Sequence, residues 1–132
     1  MTNTGNINQE FTTRTVKIDS DLSAKSKHFV VADTTDDDVV NIATDGSAPS
    51  MVLVEGALGS ASSVQTGTIV VDGVYYVTLA GTVESMDLLM PTTGGAAIKA
   101  TDGNFFGAQA LRQGVSGDVI PCKAVAGYFE NT

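Results

Sequence analysis

Gly81–Ala124 contains three short apolar runs that follow one another with only glycine-rich turns between them. The runs are Met86-Asp87-Leu88-Leu89-Met90, Asn104-Phe105-Phe106-Gly107-Ala108-Gln109-Ala110-Leu111 and Gly117-Asp118-Val119-Ile120-Pro121-Cys122. Runs of this length and residue type, bounded by turn residues, are typical of β-strands. No side chains in this stretch form a catalytic pattern. The segment therefore predicts short strands folded back on one another and a structural function.

The other apolar runs after His28 are also short, rich in β-branched residues and bounded by turn residues. They are Phe29–Val31, Val39–Ile42, Met51–Val54, Thr68–Val71, Val74–Leu79 and Ala96–Ala100. No long amphipathic pattern indicates a helix. The sequence predicts an all-β, mainly antiparallel fold, a small β-barrel or β-tulip-like domain over residues 28–132 with an extended N-terminal arm over residues 1–27.

Three Asp-Gly pairs stand between predicted strands, at Asp45-Gly46, Asp72-Gly73 and Asp102-Gly103. This pair tolerates the positive φ angles of tight hairpin turns. The middle pair gives the strongest hairpin prediction, because valines and a tyrosine flank it directly. Ala57–Ser63 is small and polar, and it predicts a surface loop between two halves of one domain.

The N-terminal arm, Met1–Lys27, is rich in Thr, Asn and Ser, with Phe11, Val16 and Ile18 as isolated apolar residues. Burial of three such residues cannot by itself offset the conformational entropy that the segment loses when it becomes ordered. We therefore expect the arm to become ordered against another surface. Alternation of polar and apolar residues over residues 13–19 also predicts that its second half pairs with a sheet.

Length and charge restrict the class of protein. The chain has 132 residues and a net charge of −8, with 42% hydrophobic and 17% charged residues, values that suit a single globular domain. The negative charge repels a phosphate backbone, so we expect no nucleic-acid partner. Met1–Phe11 has no apolar core of a signal peptide, and no run approaches the ~20 residues of a membrane span. We expect a soluble protein made in a cytoplasm, without a membrane partner.

Candidate chemical motifs are weak, so we expect no catalytic residue, cofactor or metal. Asp36-Asp37-Asp38 lacks the spacing of a calcium loop and predicts a solvated turn. Gly114–Asp118 is close to a nucleophile elbow, but its second glycine comes one residue early, and a turn between strands explains it better. His28 alone cannot build a zinc site. The single cysteine, Cys122, lies in a strand-like run and predicts plain packing.

Two aromatic pairs, Tyr75-Tyr76 and Phe105-Phe106, place one ring on either face of a strand. Such pairs predict one ring in the core and one at an interface. An alternative is a small carbohydrate-binding or hydrolytic β-domain that uses the two tyrosines and nearby carboxylates, which requires two acids about 5–10 Å apart. The candidate carboxylates are Glu55, Glu84 and Glu130.

From about Val52 to Ala126, the order of elements resembles the head-decoration or capsid-cement proteins of tailed bacteriophages. The matching features are the Asp87-Leu88-Leu89-Met90 strand, the Phe106-Gly107-Ala108-Gln109-Ala110-Leu111 strand and the closing Gly117-Asp118-Val119-Ile120 strand. In that family a Gly-Asp pair precedes the first of these strands. This chain has Ser85-Met86-Asp87 there instead.

The resemblance implies a structural protein, without an active site, on the outer surface of an icosahedral capsid in the virion. It would clamp neighbouring copies of the major capsid protein and form a homotrimer. On this interpretation Phe11, Arg14, Val16 and Ile18 are candidate capsid-binding residues, and Tyr75, Tyr76 and Phe105 are candidates for the interface between copies. A tail or fibre-base component, or a receptor-binding virion component, is the first alternative.

Overall fold

The structure is a computed structural model that describes residues 11–45, 47–49, 51–60 and 62–130. These residues form nine β-strands and no helix. The strands are β1 Phe11–Ile18, β2 Phe29–Ala32, β3 Val40–Ile42, β4 Met51–Leu53, β5 Gln65–Thr78, β6 Leu88–Pro91, β7 Ala97–Lys99, β8 Asn104–Ala110 and β9 Val119–Phe129. Within this part of the chain, no helix could cross a membrane.

The strands pair in the order β3-β2-β4-β5-β9-β8-β6-β7, and β1 pairs with β5. All of these pairs are antiparallel, and the sheet curls into a half-barrel. The predicted all-β, antiparallel and barrel-like fold is confirmed. β6 pairs with both β7 and β8, so the turn through Asp102 and Gly103 connects two strands that are not neighbours.

The hairpin predicted at Asp72-Gly73 is wrong, because both flanking runs belong to the single strand β5. The first part of β5 pairs with β1 and β4, and the second part pairs with β9. Gly73 has a φ of +94° next to a bulge at which the register with β1 skips Val71. An Asp-Gly pair accommodates a bulge as well as a turn. Here the partners on both parts of β5 keep the chain extended.

The core consists of two clusters on opposite faces of β2, β4 and the first part of β5. Neighbouring residues alternate between the clusters, as the period of two in a strand requires. Phe29, Val52 and Val70 belong to the larger cluster, which continues into the C-terminal strands. Their neighbours Val30, Leu53 and Ile69 belong to the smaller one. The middle of the sheet is therefore covered on both sides.

Strand β1 belongs to this domain and closes the smaller core cluster. Val16 and Ile18 are 2% and 0% exposed, so the prediction that the apolar residues of the arm lack local partners is wrong for these two. The predicted pairing of the second half of the arm with a sheet is confirmed. Gly67 leaves room for Ile18, since a Cβ there would lie 2.5 Å from the Ile18 Cδ1. Met1–Glu10 and the Phe11 side chain lie outside the described structure.

The segment after β1 is also fixed to the domain. Leu22 donates its backbone N–H to the Ala57 carbonyl at 2.9 Å, and Gly59 donates to the Ser20 carbonyl at 3.1 Å. The Ser26 hydroxyl accepts the N–H of Gly56 at 2.8 Å. The predicted surface loop between β4 and β5 therefore pairs its backbone with the segment that follows β1.

Candidate docking surface

The outward face of the C-terminal strands carries a row of exposed apolar side chains. Tyr76 on β5 lies opposite Pro121 on β9, and Leu111, just after β8, donates its backbone N–H to the Pro121 carbonyl at 3.1 Å. Tyr76, Leu111 and Val119 are 52%, 43% and 43% exposed, whereas the intervening residues of these strands are buried. We call Tyr76, Leu111, Val119 and Pro121 the apolar face.

An exposed aromatic pair lies further along β8 and β9. Phe105 and Tyr128 are direct cross-strand partners, and their ring centroids are 5.0 Å apart in an edge-to-face arrangement. Alternation along β8 places Phe105 on the same side of the sheet as Leu111. The six residue steps from Phe105 to Leu111 correspond to about 20 Å of extended strand. The pair is therefore a separate patch on the same side of the sheet.

Two four-residue turns with the same bonding pattern border the apolar face, Glu84–Asp87 and Val115–Asp118. In each turn the aspartate N–H donates to the carbonyl of the first residue, at 3.2 and 3.0 Å. The aspartate side chain accepts the N–H of the first residue, at 2.8 and 2.9 Å. The third residue has a positive φ, +78° at Met86 and +94° at Gly117, as a type II turn requires.

Met86 lies at the edge of the apolar face. Its backbone N–H donates to the Ala110 carbonyl at 2.8 Å, and its own carbonyl accepts the Gln109 side-chain amide at 3.1 Å. Val83 and Gly114 exchange two backbone hydrogen bonds, which hold the two turns side by side. The Met86 side chain remains exposed in this position.

Tyr75 is a core residue, which corrects its prediction as an interface candidate. Its ring is 4% exposed, and its hydroxyl donates to the Gly107 carbonyl at 3.1 Å. Burial raises the pKa of Tyr75 above its ordinary value. Cys122 lies opposite Tyr75, and burial raises the pKa of its thiol to about 12. The cysteine is fully buried, which confirms the expected packing role.

Arg14 is exposed on β1 and lies 2.5 Å from the Asp38 carboxylate. Both side chains are about half exposed, so this ion pair stabilises the fold by less than about 1 kcal/mol. Asp36–Asp38 form an exposed turn, as predicted. Of the four candidate capsid-binding residues, Arg14 is the one whose side chain the structure places at the surface, because Val16 and Ile18 are buried.

Asp33 organises the same loop between β2 and β3. Its carboxylate accepts the backbone N–H of Thr35 at 2.8 Å and the side-chain amide of Asn41 at 3.0 Å. These hydrogen bonds, the Thr35 backbone bond first, hold the pKa of Asp33 well below its ordinary value. The carboxylate is therefore used in loop structure. Among the described residues, no group of three or more histidine, cysteine, aspartate or glutamate side chains is placed to hold a metal ion.

A groove of about 310 Å³ lies beside Tyr76, where β5 changes partners. Four valines, Val52, Val54, Val70 and Val74, form half of its lining, and Lys27 is its charged residue. No carboxylate lines this groove, and the rings of Tyr75 and Tyr76 lie on opposite faces of the strand. The described residues therefore do not bring the two tyrosines together with paired acids, as the hydrolase alternative requires.

The sequence matches no protein-family model and no curated protein. Its fold is similar to that of a solved structure described as the N base of head fiber gp8.5 in bacteriophage phi29. The TM-score is 0.71 at 14% sequence identity, and the similarity covers 92% of this chain and 99% of that chain. The likeness therefore extends over almost the whole of both chains and shows that they share a fold.

Sequence analysis found part of this surface. Tyr76 and Phe105 were predicted as exposed interface candidates, and they are exposed. The sequence did not indicate that Tyr128, Leu111 and Val119 are exposed, because it does not show which face of a sheet an apolar strand residue occupies. The departure from Gly-Asp at Met86 was visible in the sequence. The left-handed backbone conformation of Met86 was not predictable from the sequence.

Proposed function

We propose that this protein is a non-enzymatic structural component of a bacteriophage virion, attached to the outer surface of the capsid. The similarity of its fold to a head-fiber base over nearly the full length of both chains is the observation that carries this proposal. The sequence motifs of the C-terminal strands resemble a family of head-associated proteins and support the same conclusion. The exposed apolar face provides a surface for assembly.

On the capsid, the protein would contact the major capsid protein and clamp neighbouring subunits, as a homotrimer. Closed cyclic symmetry is the usual way in which identical chains cover exposed apolar surfaces. Tyr76 and Phe105 remain the candidate contacts between copies, together with Tyr128. Arg14 remains a candidate capsid contact.

The likeness to a fiber base favours a second candidate within the same class. In this case the protein would be a base that attaches an appendage to the head and would add little to the strength of the shell. Both candidate functions place the protein in the virion. They differ in whether its binding raises the stability of the capsid shell.

Heating virions with and without the protein tests the clamping function. Virions of the encoding phage would be stripped of the protein, and half of them would be given it back with occupancy verified. Binding that prefers the assembled lattice stabilises each occupied site by ~2.7 kcal/mol at a hundredfold excess over Kd. We expect restored particles to release DNA at a higher temperature. Equal release temperatures at full occupancy would contradict clamping and favour an attachment base.

A further inference from the structure

Met86 occupies a backbone conformation that its residue type disfavours. A left-handed φ brings the Cβ of an L-residue close to the following carbonyl oxygen, and glycine avoids this contact. The matched turn has Gly117 at the equivalent position, so the turn itself does not need a side chain there. A methionine that is 62% exposed also gains little from burial in its own chain. Strained residues of this kind occur preferentially at functional sites.

The strands beside Met86 present mostly apolar side chains, whereas its own turn carries Glu84 and Asp87. The outward residues of β9 on the apolar face are Val119, Pro121 and Lys123, and the first carboxylate along β5 is that of Asp72, four residues before Tyr76. Depletion of charge with retention of aromatic and methionine side chains is typical of the centre of a protein interface. Methionine also adapts its shape to a partner surface.

The charge of the chain is distributed unevenly, and this indicates the partner. Residues 1–72 carry ten acidic and four basic side chains, a net charge of −6, whereas residues 73–132 carry five and three, a net charge of −2. Copies of a chain with a net charge of −8 repel one another. Contact through the apolar face brings together surfaces from the part of the chain that has the lower net charge.

We propose that Met86 and the apolar face form the contact between copies of this chain, with Met86 as a packing residue of that interface. In a closed ring of three copies the interfaces are heterologous, but the residues beside the threefold axis meet their own equivalents, so an apolar patch at that position contacts itself. The proposal rests on the homotrimer of the proposed function and names the surface that builds it.

Sedimentation equilibrium of the purified full chain, over a range of concentrations, tests this contact. We expect the wild-type protein to self-associate. Met86→Gly should raise the dissociation constant of self-association at least about tenfold, because it removes a methionine side chain that is buried in the interface. Met86→Asn tolerates the left-handed conformation, removes the apolar side chain and should weaken association similarly. Met86→Leu keeps an apolar side chain and should retain most of the association.

Leu58→Ala is the matched control. Leu58 is 68% exposed, lies in the loop between β4 and β5, and should leave self-association unchanged when it is truncated. A monomeric wild-type protein at all concentrations, or equal association of wild-type and Met86→Gly proteins, would overturn the proposal. Binding of the same variants to stripped virions separates the two claims. Wild-type protein that binds virions without self-associating would contradict this contact and leave the virion function standing.

Discussion

At the residue scale, Met86 and Gly117 provide a natural comparison, because two turns of the same geometry differ at the position with positive φ. A left-handed conformation costs an L-residue roughly 1–2 kcal/mol, and glycine loses roughly 0.5–1 kcal/mol more backbone entropy on folding. We expect Met86→Gly to stabilise the protein by roughly 0.5–1 kcal/mol, which corresponds to about 2–4 °C in Tm. Thermal unfolding at a concentration where the protein is monomeric measures this effect without a contribution from association.

Gly117→Ala is the reciprocal substitution. A Cβ at Gly117 meets no atom within 4 Å, so the substitution isolates the effect of backbone conformation. We expect the stability to fall by roughly 0.5–1 kcal/mol. Equal stability of wild-type and Met86→Gly proteins, with a loss for Gly117→Ala, would show that the Met86 turn relaxes without strain.

Residue identity in the sequence was sufficient to predict that the Tyr75-Tyr76 pair is divided between core and surface. It was not sufficient to predict which ring is buried. That choice depends on which face of β5 packs on Cys122, and on the Gly107 carbonyl that the Tyr75 hydroxyl reaches across 32 residues. Long-range partners of this kind leave no local sequence pattern.

At the scale of elements, β1 shows why the arm was only partly predictable. The alternation of residues 13–19 indicated a strand, but it did not reveal that Val16 and Ile18 enter a cluster of residues from five other segments. The same limitation applies to β5. Its Asp-Gly pair is compatible with a turn and with a bulge, and the pairing with β1, β4 and β9 determines the outcome.

The burial of β1 predicts that its apolar side chains contribute to folding. Ile18→Ala should destabilise the protein by about 2–5 kcal/mol, because it removes a fully buried side chain and leaves a cavity. Lys17, between the two buried residues, is exposed, and Lys17→Ala should change stability by no more than about 0.5 kcal/mol. Urea unfolding of both variants measures the difference. Similar midpoints for the two variants would show that β1 is dispensable for folding.

At the scale of the whole molecule, the predicted all-β fold agrees with the structure because many independent short runs and turn residues indicate it. The function could not be predicted from the sequence in the same way, because the sequence contains no recognisable catalytic pattern. Overall shape, exposed apolar surface and the lower net charge of residues 73–132, −2 against −6 for residues 1–72, support the proposed function instead. These properties belong to the assembled molecule.

The composition of purified virions of a phage that encodes this polypeptide tests whether the protein is a virion component. Quantitative mass spectrometry would measure the copies of this polypeptide per particle, with the major capsid protein as the internal standard. We predict that the protein is present in many copies per virion, as binding at repeated positions of a capsid requires. It should also be removed by protease treatment that leaves the shell intact. Virions that lack the polypeptide, while it remains abundant in the infected cell, would contradict the proposed function.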